Sequence, residues 1–208
     1  MNKYFVNNIG IYADDDRFIR EVLIENEYQY LFGYDTVVDL GSNIGTFSLW
    51  IYPHAKRIYA VEPNPKPMRL LEQTIKDNKL EKITPVEIAI TGTNGVRFLA
   101  NTDDKAYGSG LINDTVGMRV KSMQLDTFMV EYKIEYIDLL KIDIELTEKE
   151  LFESAGFRNV QHKIGTIIGE YHNGGIQESI KASLTGAGFK YVDLTRANSS
   201  GKFIARRI

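Results

Sequence analysis

The stretch VVDLGSNIGTFSLW, residues 37–50, is the most informative part of this sequence. A short apolar run carries a carboxylate, Asp39, near its end, and two glycines, Gly41 and Gly45, follow it. In open α/β sheets, the loop between the end of a strand and the next helix is where ligands bind. Glycines let such a loop turn tightly and approach the ligand closely. The stretch therefore predicts a strand, a ligand-binding loop and a helix in succession.

Strands and helices alternate in the same way along most of the chain. The patterns predict strands at 36–40, 57–62, 83–90, 136–143 and 163–172, and helices at 46–52, 65–79, 122–133, 147–156 and 176–188. This alternation is typical of right-handed βαβ units and a parallel sheet. Two final apolar runs, 189–195 and 202–208, flank a short polar loop and predict an antiparallel hairpin.

Two segments interrupt the alternation. Residues 1–34 are predicted to be an N-terminal helical extension, because apolar residues recur at helical spacing after three aspartates. Residues 91–121 are rich in Gly, Asn, Asp and Thr, and are predicted to be an inserted segment of two short strands around a loop at 103–110. We expect this loop to be mobile and to lie near the binding site of the compound on which the protein acts. With 208 residues, the whole chain is expected to be a single domain.

Composition excludes several classes of protein. The sequence has no cysteine, which rules out disulfides, thiolate metal sites and a thiol nucleophile. A net charge of -3 gives no electrostatic reason to expect a nucleic-acid partner. No apolar run is long enough to cross a membrane, and the N-terminus lacks the apolar core of a signal peptide. The expected location is the cytoplasm, without a membrane partner, and a homodimer is a possible assembly.

The glycine loop is not that of a nucleotide-phosphate site. The spacing is G-x-x-x-G, which differs from the dinucleotide fingerprint and from the phosphate loop of nucleoside triphosphatases. An acid before the glycines would repel a pyrophosphate, whereas it would attract the ammonium and sulfonium of S-adenosylmethionine. A second acid, Glu62, ends the next strand and could accept both hydroxyls of a ribose. Asp39 and Glu62 together therefore favour S-adenosylmethionine over the alternative of a helix cap and a solvated strand end. The predicted cofactor site comprises Asp39, Gly41, Ser42, Asn43, Gly45, Glu62, Pro63, Asn64 and Ala89.

These motifs, with IDLLKIDIELTEKEL at 137–151 and GEYH at 169–172, resemble the FkbM-type family of S-adenosylmethionine-dependent methyltransferases. The similarity covers about residues 35–190, with four motifs in order. Members typically carry Lys-x-Asp-x-Glu-Gly-Ala-Glu. Lys141, Asp143, Glu145 and Glu148 match it, whereas Leu146 and Thr147 replace Gly and Ala. The resemblance implies an α/β, Rossmann-like methyltransferase fold with helices on both faces of a mostly parallel seven-stranded sheet whose last strand is antiparallel. It also implies methyl transfer, most often to a hydroxyl oxygen of a sugar or natural product.

The predicted catalytic residues are Asp143, Lys141, Glu145 and His172. Strand alternation places Lys141 and Asp143 on one side of the sheet, at its ligand-binding end. Asp143 is the first candidate for a general base or an acceptor-orienting group, and Glu145 is the second. Lys141 either polarises the acceptor oxygen or closes a structural ion pair. His172 ends the following strand and is a candidate for substrate binding.

No metal is predicted, although Asp143, Glu145, Glu170 and His172 could converge, because the sequence itself shows no metal-ligand spacing. The leading hypothesis is O-methylation of a hydroxyl on a small molecule or glycan. The alternative is a catalytically silent module that binds S-adenosylmethionine as a scaffold or sensor. A nicotinamide-dependent oxidoreductase is a distant third hypothesis, because its glycine fingerprint is missing.

Overall fold

The computed structural model describes residues 2–13, 33–100, 111–112, 117–172, 174–194 and 200–208. The strands are β1 (Asn2–Val6), β2 (Ile9–Ala13), β3 (Tyr34–Leu40), β4 (Ala55–Val61), β5 (Ile83–Val86), β6 (Ala89–Ile90), β7 (Gly95–Leu99), β8 (Leu111–Ile112), β9 (Met118–Met123), β10 (Ile137–Ile142), β11 (Ile164–Tyr171), β12 (Phe189–Asp193) and β13 (Gly201–Arg207). The α-helices are α1 (Thr46–Ile51), α2 (Pro65–Asn78), α3 (Leu125–Glu131), α4 (Glu148–Glu153), α5 (Ala155–Val160) and α6 (Gln177–Gly186).

A seven-stranded sheet organises the described residues, in the order β12-β13-β11-β10-β3-β4-β5. Six strands run parallel and the last strand of the chain, β13, runs antiparallel between β11 and β12. The predicted fold class is therefore confirmed, as is the final hairpin. From β3 the chain first builds outward through β4 and β5, and then continues on the other side with β10. Ligands bind where the strand order reverses in this way, so the carboxyl ends of β3 and β10 mark the site.

The core lies on both faces of this sheet, because adjacent strand residues point to opposite sides. On one face, Val37 and Leu139 pack with α1, α2 and the first hairpin. On the other, Val38 and Leu140 pack with α3, α4, α5 and α6. All four side chains are fully buried, and burial of each stabilises the fold by about 1.5–3 kcal/mol. Sheet and helices thereby fix the positions of the loops at the strand ends.

Residues 2–13 form a β-hairpin, which corrects the prediction of a helical extension for this part of residues 1–34. The turn residues Asn7 and Asn8 have φ of 49° and 66°, the left-handed values that a tight hairpin turn needs. Asn78 at the end of α2 holds the hairpin, since its side chain donates to the oxygen and accepts from the N–H of Gly10. The helix predicted after residue 13 lies outside the described residues.

The inserted segment contains a second, four-stranded sheet in the order β6-β9-β7-β8. The two predicted short strands correspond to β7 and β9, which pair antiparallel. The single strand predicted over 83–90 is instead divided, because β5 ends at Val86 in the main sheet and β6 pairs with β9. The loop predicted at 103–110 lies outside the described part of the chain.

The helix predicted over 147–156 is broken into α4 and α5. Ser154 between them has extended backbone angles, and its side-chain oxygen accepts from the N–H of Phe157 to cap α5. The break lets both short helices place an apolar side against the same core. None of the helices within the described residues has the length and apolar character that crossing a membrane requires.

Candidate active site

The loop after β3 is built around two glycines with left-handed backbone angles. Gly41 has φ of 74° and Gly45 has φ of 86°. The N–H groups of Gly41 and Ser42 both donate to the oxygen of Val61, at 2.9 and 3.0 Å, which ties the loop to the end of β4. A Cβ atom on Gly45 would lie 2.4 Å from Leu71 Cδ1 in α2. Both positions therefore require glycine, as the sequence pattern indicated.

Asp39 lies beneath this loop and is fully buried. Its Oδ2 accepts a 2.7 Å hydrogen bond from Ser48 Oγ, and Lys141 Nζ lies 3.5 Å from Oδ1. Burial raises the pKa of Asp39, whereas Lys141 and the Ser48 hydrogen bond act in the opposite direction. Asp39 thus binds Ser48 and Lys141 beneath the loop. Its predicted attraction for a cationic cofactor would be exerted through the loop.

Glu62 connects the ends of two strands through its carboxylate. Oε2 accepts from the N–H of Asn43 at 3.0 Å, and Oε1 accepts from the N–H of Asn64 at 2.8 Å. Burial raises the pKa of Glu62 to about 7, although these two backbone hydrogen bonds favour the ionised form. A carboxylate has about four acceptor positions, so both oxygens keep capacity for a ribose hydroxyl.

An open cleft lies at the carboxyl ends of the strands, with about 430 Å³ of empty space that includes open solvent. The cleft is lined by Leu40, Gly41, Val61, Glu62, Pro63, Ile88, Ala89, Ile90, Leu99, Leu111, Asp143, Ile144, Glu145 and Thr147. Four of the predicted cofactor residues line this cleft, namely Gly41, Glu62, Pro63 and Ala89. The other five do not line it, and are Asp39, Ser42, Asn43, Gly45 and Asn64.

The apolar wall of the cleft was not predicted from the sequence. It consists of Ile88 and Ile90, just before the inserted segment, and of Leu99 on β7 and Leu111 on β8. These residues give an apolar surface beside Glu62, which suits a heterocyclic base next to a ribose. Their periodicity in the sequence is that of any strand, so no local signal distinguished them from core residues.

Lys141 is the link between the loop and β10. Only 8% of its side chain is exposed, and Nζ lies 3.2 Å from both the oxygen of Gly41 and Oδ2 of Asp143. With Asp39 at 3.5 Å, the ammonium lies between two carboxylates and a carbonyl. The geometry supports the structural ion pair over polarisation of an acceptor, because the ammonium is already surrounded by protein oxygens.

The chain turns sharply after Asp143. Glu145 and Leu146 both have left-handed backbone angles, with φ of 48° and 72°. Such angles cost about 1–2 kcal/mol per residue for side chains other than glycine. Leu146 is nevertheless 62% exposed, so little burial offsets the cost at that position. The turn places the Glu145 carboxylate at the rim of the cleft.

His172 lies among three carboxylates from the motif after β10. Its Nδ1 is 2.7 Å from Oε1 of Glu148, and its Nε2 is 3.4 Å from Oδ1 of Asp143 and 3.5 Å from Oε2 of Glu145. Burial lowers the pKa of His172, but the Glu148 hydrogen bond and the charges of Asp143 and Glu145 outweigh it and raise the pKa to about 9. The structure thus brings together all four predicted catalytic residues, with His172 beside Asp143 and Glu145 and with Lys141 beside Asp143.

Two acids outside the four predicted catalytic residues, Glu148 and Glu170, also belong to this cluster. Glu148, in the first turn of α4, is fully buried and holds the His172 ring. Glu170 lies one residue before the end of β11, where Lys202 Nζ is 3.3 Å from its Oε1. Burial raises the pKa of Glu170 and of Glu145. The supporting role of Glu148 was not predicted, although its motif position was noted, because its partner lies 24 residues away.

Comparison with known proteins gives a consistent family signal. Residues 39–191, well over half of the chain, match the family described as the Methyltransferase FkbM domain. A fungal protein described as methyltransferase sdnD, from Sordaria araneosa, is 26% identical over 197 residues. That match covers 77% of this chain and 74% of the fungal protein.

A second curated relative matches a shorter region. The tRNA (guanine(37)-N(1))-methyltransferase of Methanocaldococcus jannaschii is 40% identical over 76 residues. The match covers 35% of this chain and only 22% of the archaeal protein. Among solved structures, a putative methyltransferase from Streptococcus mutans in complex with S-adenosylhomocysteine has a TM-score of 0.54 at 8% identity. It covers 95% of this chain and 100% of the bacterial chain, and shows that the fold is shared.

Proposed function

The chain belongs to the FkbM methyltransferase family, and on that basis we propose that it transfers a methyl group from S-adenosylmethionine to a hydroxyl oxygen of a sugar or small natural product. The family match makes it an S-adenosylmethionine-dependent methyltransferase with a Rossmann-like fold. The identity of the acceptor as a hydroxyl compound is the proposal.

One observation carries the proposal. Asp143 and Glu145 line the same cleft as Glu62, and His172 lies within 3.5 Å of both acids. Methyl transfer to a hydroxyl requires a group that takes the proton as the oxygen attacks. An acid–histidine cluster beside the cofactor cleft supplies such groups.

The reaction itself is an in-line displacement. The acceptor oxygen forms a bond to the methyl carbon, the carbon–sulfur bond breaks, and its electron pair remains on sulfur to give S-adenosylhomocysteine. The hydroxyl proton leaves toward the Asp143–His172 cluster. The protein contributes mainly by alignment of donor and acceptor, a contribution that can reach about 7–11 kcal/mol. Glu62 and the Gly41 loop would orient the cofactor, while Asp143 would orient the acceptor.

Methyl transfer with labelled S-adenosylmethionine tests the proposal. The full-length protein is incubated with a panel of sugars and hydroxylated metabolites, with tRNA as a separate arm. We expect label in an alkali-stable methyl ether of at least one hydroxylated compound. Transfer to tRNA alone would contradict the hydroxyl acceptor. Binding of S-adenosylhomocysteine without transfer to any acceptor would instead favour the silent module.

A further inference from the structure

We propose that Asp143, Glu170 and His172 bind one divalent cation of the Mn²⁺ or Zn²⁺ class beside the acceptor position. These three residues each offer one ligand atom, and the three atoms lie within 4.8 Å of one another. The role suggested for the cation rests on the proposed hydroxyl acceptor, whereas the binding of the cation does not. The ligands come from the ends of β10 and β11, so two neighbouring strands hold them in place.

The distance between the ligand atoms of His172 and Asp143 is that of two ligands around a common centre. His172 Nε2 is 3.4 Å from Asp143 Oδ1, which is longer than a good N–H···O hydrogen bond of about 2.7–3.2 Å. Two ligand atoms that each lie about 2.1 Å from one cation, at angles of 90–109°, are about 3.0–3.4 Å apart. A small inward movement of the side chains would therefore suffice to enclose a cation.

The histidine is held by a carboxylate on its other nitrogen. Glu148 Oε1 lies 2.7 Å from Nδ1, while the distance from Nε2 to the nearest acid oxygen is 3.4 Å. A hydrogen bond at Nδ1 holds a proton there, so a cation that binds His172 would displace the proton of Nε2. Metal-binding histidines almost always carry such a hydrogen bond, which fixes the ring and raises its basicity.

Glu148 provides an observation that is independent of the ligand atoms. Its side chain is completely buried, and Oε2 has no hydrogen-bond partner among the residues that the structure describes. A buried carboxylate with an unsatisfied oxygen is costly unless strong positive charge lies nearby. An imidazole bound to a dication would keep that charge beside Glu148, as the imidazolium form of His172 does without metal.

The local charge also favours a cation. Asp143, Glu145, Glu148 and Glu170 surround His172, and two lysines partly offset them. Lys141 contacts Oδ2 of Asp143 and Lys202 contacts Oε1 of Glu170, so each of these carboxylates keeps a second oxygen for a metal. One imidazole with two carboxylates suits Mn²⁺ or Zn²⁺, whereas Mg²⁺ prefers oxygen ligands alone.

The cation would act on the oxygen that receives the methyl group. Coordination of the hydroxyl oxygen would lower its pKa and favour loss of its proton to Glu145 and then to solvent. The oxygen then forms its bond to the methyl carbon, and the electron pair of the carbon–sulfur bond stays on sulfur. Asp143 and His172 would orient the acceptor through the metal, which keeps the orienting role suggested for Asp143 and gives the role of the base to Glu145.

Mn²⁺ binding to the metal-stripped full-length protein provides the test. The protein is treated with a chelator, and Mn²⁺ is titrated while free Mn²⁺ is followed by electron paramagnetic resonance. We expect one site per chain with a dissociation constant below about 100 µM. Competition with Zn²⁺ should displace the Mn²⁺. Absence of a saturable site at about 1 mM Mn²⁺ would overturn the proposal.

Variants locate the site. His172→Gln should weaken Mn²⁺ binding at least about 100-fold, and Glu148→Gln, which removes the charge behind the ring, should weaken it about 10–100-fold. Glu178→Gln is the matched control, because Glu178 lies on α6 with 78% of its side chain exposed. Equal Mn²⁺ affinity in all three variants would place the metal elsewhere and refute the assignment.

Binding of S-adenosylhomocysteine separates this proposal from the proposed function. Calorimetry measures this binding on the same proteins in the presence of a chelator. A variant that binds S-adenosylhomocysteine is thereby shown to be folded. Cofactor binding without Mn²⁺ binding would remove the metal site and leave the methyltransferase intact. Mn²⁺ binding at this site without transfer to any hydroxyl would retain the metal site and refute the hydroxyl acceptor.

Discussion

A Cβ atom on Gly41 would lie 1.7 Å from the backbone oxygen of Asp143. The cofactor loop and the catalytic strand therefore touch backbone to backbone. The N–H of Asp143 also donates to the oxygen of Leu40 at 3.0 Å, and Lys141 Nζ reaches the oxygen of Gly41. The two halves of the candidate site share this contact, which would let the loop and strand orient a cofactor and an acceptor relative to each other.

Gly41→Ala should disturb the whole site. The new methyl group meets backbone that cannot rotate away, and the left-handed φ of 74° adds strain. We expect the free energy of unfolding to fall by about 3 kcal/mol, measured by urea denaturation. The affinity for S-adenosylhomocysteine should fall at least about tenfold, the equivalent of about 1.4 kcal/mol.

Gly186→Ala is the matched control for this change. Gly186 ends α6, and a Cβ atom there would have no neighbour within 4 Å. The substitution should raise the free energy of unfolding by about 0.5–1 kcal/mol and leave cofactor binding unchanged. Equal effects of the two substitutions would show that the contact between Gly41 and Asp143 is not tight.

The raised pKa of Glu62 makes cofactor binding depend on pH. Burial raises this pKa from 4.5 to about 7, so the free carboxyl is partly protonated near neutral pH. Ribose hydroxyls donate to the ionised form and would lower the pKa on binding. Binding should therefore release a proton, and affinity for S-adenosylhomocysteine should rise from about pH 5.5 to about pH 7 and then level off.

Calorimetry in buffers of different ionisation enthalpy measures this proton release directly. Glu62→Gln should bind more weakly and lose most of the pH dependence. Without ligand, the raised pKa of Glu62 makes the folded state less stable as pH rises from 4.5 to about 7. Glu62→Gln should therefore also flatten the pH dependence of the free energy of unfolding in this range. Net proton uptake on binding would exclude Glu62 as an acceptor of ribose hydroxyls.

Asp143→Asn should impair transfer more than cofactor binding. The substitution keeps the shape of the side chain and removes its charge and basicity. We expect turnover to fall by about 10²-fold or more with little change in affinity for S-adenosylhomocysteine. Asp35→Asn is the control, because Asp35 lies at the opposite end of β3 with 62% of its side chain exposed. A collapse of cofactor affinity would recast Asp143 as a cofactor ligand, and unchanged turnover would remove it from the mechanism.

Leu146→Gly should stabilise the protein. Glycine relieves the left-handed strain at φ of 72°, and little apolar burial is lost because Leu146 is 62% exposed. The strain of about 1–2 kcal/mol exceeds the entropic cost of glycine, about 0.5–1 kcal/mol, so the free energy of unfolding should rise by about 0.5–1 kcal/mol. Thermal unfolding measures the change, and Leu194→Gly at another exposed leucine is the comparison. A lower melting temperature for Leu146→Gly would show that the Leu146 side chain makes a packing contact that stabilises the fold.

The sequence was sufficient for the main sheet because its signals are local. A buried run followed by glycines identifies β3 and its loop, and the acids Asp39 and Glu62 stand at strand ends where parallel strands must meet. The first hairpin was not predicted. Its turn is Asn-Asn without glycine, and its strands alternate only weakly between buried and exposed positions.

The partnerships within the site could not be predicted from the sequence. Strand periodicity places Lys141 and Asp143 on one side, but it does not show that Lys141 reaches back to the oxygen of Gly41. Similarly, Glu148 and His172 meet only because the turn at Glu145 and Leu146 directs α4 toward the end of β11. Such contacts depend on the packing of distant elements.

The pairing of β3 with β10 determines when the candidate site can form during synthesis of the chain. Lys141 follows Gly41 by 100 residues, and the ribosome adds about 5–20 residues per second, so β3 waits about 5–20 s for its second neighbour. Until then, the glycine loop lacks its contact with Asp143. S-adenosylmethionine would therefore meet a complete glycine loop only after residue 143 has been added, and its binding would favour completion of the sheet rather than its initiation.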